Sequence, residues 1–270
     1  MLDLGGCLFF VDNPNFSSFD SVMINFINTR KTTALSWFLS MIWTVSEAAS
    51  ASTDGAGSHA KPNIVVLFAD DLGYGSVSWF GGNFPTPNID SIAENGVGFR
   101  SGYMTAPVCN PSRPGLMTGR YQQRWGKELN SQTENEIGIP RNSLPKRELS
   151  LASALRQLGY ATGAVGKWQF GMSPGYHPLD LGFDSFLGMP SGSNFVDSNW
   201  PNARIAPGQT TARERNGGSR PRALYRGHER VPVDEYLTDK LGKEGVKFIE
   251  RHKEEPFFLY LAFHAPHTPL

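Results

Sequence analysis

Cys109 is the only cysteine in the body of the chain, and it stands in the stretch Thr105 to Arg120, TAPVCNPSRPGLMTGR. Pro111, Ser112, Arg113 and Pro114 follow it closely, which reads as a tight Pro-rich turn leading into a short helix. A lone cysteine is more often inert core than reagent. Here, however, helix N–H groups and the Arg113 guanidinium would favour an anion close to the thiol. Further chemistry-bearing residues fall at Asp70-Asp71, at Lys167, and at His264 and His267 in the stretch HAPHTP. Adjacent carboxylates with oxygen-only ligands suit a hard ion such as Ca²⁺ or Mg²⁺. Each group also has a plainer interpretation: a solvated acidic turn, a solvated lysine, and histidines that satisfy backbone groups in a proline-stiffened loop.

The elements that must position these residues decide between the two. Before Asp70-Asp71 runs NIVVLFADD, whose continuous β-branched run Ile64 to Phe68 suits a strand covered on both faces. TPNIDSIAENG offers Thr86 as N-cap, Pro87 at the first helical position and Gly96 as a stop. LSLASALRQLGYATGAVGK reads as a helix ending at Gly159 and a strand from Ala161 to Val165, with Lys167 just beyond. VDEYLTDKLGKEGVKFIERHKEEPFFLYLAFHAPH reads as a helix with apolar Tyr236, Leu237, Leu241, Val246, Phe248 and Ile249. The strand Phe257 to Ala262 follows, and then the two histidines. Repeated helix-then-strand units imply an α/β fold, a mostly parallel sheet with helices on both faces. Asp70-Asp71, Lys167 and the histidines then stand beyond the carboxyl ends of three separate strands, where ligands gather in open α/β sheets. Between Ser191 and Val231 the pattern dissolves into Gly, Pro, Asn and Arg, as in a long loop.

The 270 residues carry 25 basic and 25 acidic side chains, so neither a nucleic-acid footprint nor general attraction to an anionic membrane is expected. Two cysteines, Cys7 and Cys109, make no disulfide framework. From Met23, Arg30 and Lys31 precede a short apolar run, Ala34 to Val45, and the small-x-small triplet Ala49-Ser50-Ala51. That pattern is a signal peptide over 23–51, too short for an ordinary membrane span. Export to the periplasm or outside the cell is expected, with no stable membrane anchor after cleavage. Residues 1–22 read as an extension created by a mis-assigned start, and 52–61 as a flexible leader.

CNPSRPGLMTGR resembles the signature of the sulfatases, Cys-x-Pro-Ser-Arg followed by Leu-x-Thr-Gly-Arg. The resemblance runs from about Lys61 to Leu270 and includes NIVVLFADDLGYG, LRQLGYATGAVGKW, YHPLDLGFDSFLG, YLTD and FFLYLAFHAPHTP. It implies the alkaline-phosphatase-like α/β fold and hydrolysis of sulfate esters. It further implies that a separate maturation enzyme oxidises Cys109 to Cα-formylglycine. Asp70, Asp71 and the modified Cys109 would bind a divalent cation, Ca²⁺ before Mg²⁺. One hydroxyl of the hydrated aldehyde would attack sulfur, and the other would let the aldehyde re-form with loss of sulfate. By the same resemblance Arg113 steadies the hydrate, while Lys167 and His267 bind the sulfate and leaving oxygens.

Two departures from the family pattern stand out. Where the family commonly has Gly-Lys-Trp-His, this chain has Gly166-Lys167-Trp168-Gln169. Gln169 hydrogen-bonds but takes up no proton near neutral pH, so either turnover is slowed or another base acts, with His264 and His177 as candidates. The chain also stops at Leu270, before the Asp-Asn pair, second lysine and smaller C-terminal domain of the family. Residues 62–270 are therefore expected to be the N-terminal part of a catalytic domain, with an incomplete metal site. Alternatives in view are a phosphonate or phosphodiester hydrolase with the same cysteine tag, and a non-catalytic remnant that binds sulfated glycans.

Overall fold

The computed structural model describes residues 61–126, 144–145, 147–170, 174–189 and 224–267, and the backbone of 7–12. The expected signal peptide and leader lie outside the described residues, as does most of the Ser191–Val231 segment. Among the described residues no helix is long and apolar enough to cross a membrane.

The strands are β1 (Cys7–Asp12), β2 (Asn63–Asp70), β3 (Ala161–Lys167), β4 (Ser185–Met189), β5 (Leu224–Arg226), β6 (Glu229–Val231) and β7 (Phe257–Pro266). They form one sheet in the order β1-β2-β7-β3-β4-β5-β6. The centre is parallel: β2 and β3 flank β7, and β4 pairs with β3. At the margins β1, β5 and β6 are antiparallel. The sheet is thus mixed, with the expected parallel part confined to its middle. Neither the edge strand at residues 7–12 nor the hairpin closing the supposed 191–231 loop has a sequence signal above.

The helices are α1 (Pro87–Glu94), α2 (Cys109–Thr118), α3 (Leu151–Gln157) and α4 (Leu237–His252). Successive residues of β7 point to opposite faces, and that alternation divides the core. Phe258, Tyr260 and Ala262 pack with Val66, Phe68, Met117 of α2 and Ala152 of α3. Phe257, Leu259 and Leu261 pack with Val165, Leu187, and Leu241 and Phe248 of α4. Helices therefore cover both faces. The buried stripe of α4 is Leu241, Gly245 and Phe248, whereas Tyr236, Val246 and Ile249 are exposed. Their apolar type and spacing did not settle which face they occupy; packing against Leu259 and Leu261 did.

One glycine lets the middle of the sheet close. Gly166 has φ 106, and a Cβ there would lie 1.8 Å from the Ala262 carbonyl oxygen. Strand β3 can thus run tight against β7 immediately before Lys167.

Candidate active site

Cys109 is not on a turn before a helix; it is the first residue of α2, with extended Val108 as N-cap. Pro111 sits in the first turn, where its missing N–H has no intrahelical partner to lose. Ser112 N–H donates to the Val108 carbonyl at 3.2 Å, and Ser112 Oγ donates to the Cys109 carbonyl at 3.1 Å. Gly119, with φ 63, closes the helix. Four residues after Cys109, and so on the same side of α2, Arg113 projects into the core with no exposure at all.

Arg113 ties three strands together. Nη1 donates to the Lys167 carbonyl at 3.0 Å and to the Tyr260 hydroxyl at 3.1 Å. Nη2 faces Asp70 Oδ1 at 3.4 Å, and Cζ lies 4.6 Å from the centre of the Phe68 ring. Burial opposes its charge, but Tyr260, Asp70 and Cys109 hold its pKa above the ordinary arginine value. The other oxygen of Asp70, Oδ2, is paired with the fully buried Lys167 ammonium. Two cations thus meet one buried carboxylate, at the carboxyl ends of β2 and β3 where the sequence put these residues.

Asp70, Asp71 and Cys109 line one cleft, together with Phe68, Met104 and Ser112. Asp71 adopts the left-handed conformation, φ 63, and pairs with His267 Nε2 at 3.5 Å. Lys167 lies beneath the cleft, paired with Asp70. Gln169, only 6% exposed, donates from Nε2 to Cys109 Sγ at 3.3 Å, while its Oε1 has no hydrogen-bond partner. Its backbone is also left-handed, φ 68. Trp168 holds it there: its backbone N–H donates to the Met189 carbonyl at 3.0 Å, and its ring packs edge-on against Phe170 and Phe183.

His264 is buried, and both its ring nitrogens lack a hydrogen-bond partner. Burial, then the charges of Lys167, Arg113 and His267, push its pKa down to about 3. It is a neutral imidazole at any working pH. His177 belongs elsewhere: its Nδ1 accepts from the Leu179 N–H, its Nε2 meets the Gly227 carbonyl at 3.1 Å, and it stacks on His228. Both nitrogens are used, so it serves the fold.

A hard divalent cation asks for six or more oxygens. The described residues offer the carboxylates of Asp70 and Asp71, and Asp70 already has both oxygens on cations. Among the described residues no three His, Cys, Asp or Glu side chains converge as a metal site requires. They do not by themselves make a metal centre.

Tyr260 and Phe68 were not singled out from the sequence, yet both touch Arg113. The period-two alternation of β7 is the signal that finds Tyr260, since it places Tyr260 on the face shared by Phe258 and Ala262.

Together, the structure has a parallel-centred α/β sheet and a buried cationic cluster beside a cysteine at a helix start. Comparison with known proteins gives the family. The sequence model of the Sulfatase family matches residues 62–270. Human arylsulfatase D is 33% identical over 268 residues, covering 78% of this chain and 45% of that protein. N-acetylgalactosamine-6-sulfatase of the dog, Canis lupus familiaris, is 33% identical, covering 82% of this chain and 42% of that protein. The crystal structure of Ps i-CgsB in complex with k-i-k-neocarrahexaose superposes with a TM-score of 0.63 at 34% identity, over 76% of this chain and 45% of the other. The chain belongs to the sulfatase family. It spans less than half the length of each of these relatives.

Proposed function

We propose that the chain carries the nucleophile and anion-binding groups of a sulfate-ester hydrolase, with Cys109 used as Cα-formylglycine made by a separate maturation enzyme. One observation carries this: Lys167 and Arg113, both fully buried, face a single buried carboxylate beside Cys109. The excess positive charge sits in a low-dielectric setting, where fixed charges act most strongly on a sulfuryl group gaining negative charge. In oxidised, hydrated form the Cys109 side chain supplies an oxygen nucleophile for sulfur and a second hydroxyl through which sulfate is released.

The remaining work falls to side chains already in place. Arg113 cannot lose its proton, so the charge beneath the cleft is permanent. Its bonds to Lys167 and Tyr260 fix it without reorganisation when the ester arrives. Asp70 keeps Lys167 oriented. His267, with a side chain 30% exposed and Nε2 3.5 Å from Asp71 Oδ2, is the group assigned to the departing alcohol oxygen. Asp70 and Asp71 are the residues a divalent cation would use, with further ligands from outside the described residues, and the cation would there lend positive charge to the sulfate oxygens.

The relatives' names span an aryl ester, an aminosugar and a neocarrahexaose, so the substrate class is a sulfate ester of an aryl or sugar alcohol. The Arg30-Lys31 and Ala34 to Val45 pattern before Ala49-Ser50-Ala51 supports export of the protein that does this.

The test is to produce the chain with a formylglycine-generating enzyme and to verify oxidation of Cys109 by peptide mass spectrometry. Aryl sulfate, sulfated sugar and aryl phosphodiester are then assayed side by side. Sulfate release that disappears in Cys109→Ala is the expected result. Phosphodiester cleavage without sulfate release, or binding of sulfated polysaccharide without turnover, would replace this function with another.

A further inference from the structure

Gln169 is a buried residue held in a backbone conformation that glycine or asparagine adopts far more readily. Strain of this kind persists where surrounding structure imposes it, and it clusters at functional sites. The side chain is aimed at Cys109: one end of its amide is on the sulfur at 3.3 Å, and the other end, Oε1, is buried and unpaired. Turning the amide over exchanges the two ends but leaves the count unchanged. A thiol presents one atom and satisfies one end. An aldehyde oxygen likewise accepts from Nε2 and offers nothing to Oε1. A geminal diol presents two oxygens on one carbon, so one hydroxyl accepts from Nε2–H while the other donates to Oε1.

We infer that Gln169 is a positioning residue that favours the hydrated form of the oxidised Cys109 side chain over the free aldehyde; this rests on the use of Cys109 proposed above. The step it biases is the addition of water. A carbon–oxygen bond forms between water and the aldehyde carbon, the carbonyl π bond opens, and one O–H bond of the water breaks as its proton passes to the former carbonyl oxygen, with nothing oxidised or reduced. The amide acts as donor and acceptor together and adds no ionisable group, so the bias is independent of pH near neutrality.

The test uses the full chain produced with a formylglycine-generating enzyme and with cysteine labelled with ¹³C at its β-carbon. Aldehyde and diol carbons give separate NMR signals, so their ratio is read directly. Gln169→Gly and Gln169→Asn both tolerate the left-handed backbone, so folding is retained, and both withdraw the amide from the Cys109 carbon. Each is expected to lower the diol-to-aldehyde ratio by roughly five-fold, the worth of the one hydrogen bond, to Oε1, that the diol makes and the aldehyde does not. It is also expected to speed capture of the aldehyde by an aminooxy probe. An unchanged ratio in both variants overturns the inference while leaving the function of Cys109 standing. A mass spectrum showing only the thiol at position 109 overturns that function, and this inference with it.

Discussion

Arg113 Nη1 reaches the Lys167 carbonyl and the Tyr260 hydroxyl while Nη2 faces Asp70, so one guanidinium contacts β2, β3 and β7. Lysine keeps the charge but not the planar fork. Arg113→Lys is therefore expected to destabilise the fold by about 3 kcal/mol, the loss of hydrogen bonds to a charged buried group. The midpoint of urea unfolding checks this. His264 gives a second expectation. Its folded pKa, about 3, lies below the ordinary 6.5. Between those values the unfolded chain takes up a proton that the folded chain refuses. Stability is thus fully present above about pH 6.5 and declines as pH falls toward 3, with a slope of up to about 1.4 kcal/mol per pH unit from this group. In His264→Asn, thermal melts across that window are expected to decline less steeply with acid. At this scale the sequence was informative where strand ends collect polar groups, as at Asp70 and Lys167. The left-handed turn of Gln169 toward the thiol and the pairing of Asp70 with Lys167 depend on tertiary approach, which residue types do not encode locally.

At the scale of elements, Gly166 is the narrowest point. A methyl group there meets the Ala262 carbonyl at 1.8 Å and a positive φ as well. Gly166→Ala is expected to cost about 3–5 kcal/mol, combining overpacking with left-handed strain. Loss of the cooperative near-ultraviolet circular dichroism transition at physiological temperature would register it. The strands β2, β3 and β7 were legible because each is a run of apolar or small residues bounded by turn residues. Strands β5 and β6 were not, since three residues apiece carry no period. The face of α4 was only half legible: the helix was clear, but its apolar residues outnumber the buried stripe, and only packing on Leu259 and Leu261 selects Leu241 and Phe248.

The whole molecule has a sheet whose outer margins, among the described residues, are β1 and β6. Strand β1 covers the edge of β2 along its length, from Cys7 opposite Phe68 to Asp12 opposite Asn63. A chain beginning at Ser52, as signal cleavage would leave it, lacks that cover, and β2 then presents a row of unpaired backbone groups. Unprotected edges of this kind pair with one another. The Ser52-initiated chain is expected to self-associate more strongly than the full chain at equal concentration, as followed by light scattering. The parallel middle of the sheet followed from the repeated helix-then-strand order. Its antiparallel margins did not, because one comes from a segment that read as an extension from a mis-assigned start and the other from a segment that looked like coil.

The guanidinium of Arg113 also sets how this protein wears out. The same nitrogen atoms that hold the strands in register keep a positive charge on Asp70, which lines the cleft, so the strands and that charge shift together. Warming should bring no phase in which a swollen protein still works or a compact one has gone silent. Inactivation of the proposed hydrolase and melting are expected to coincide.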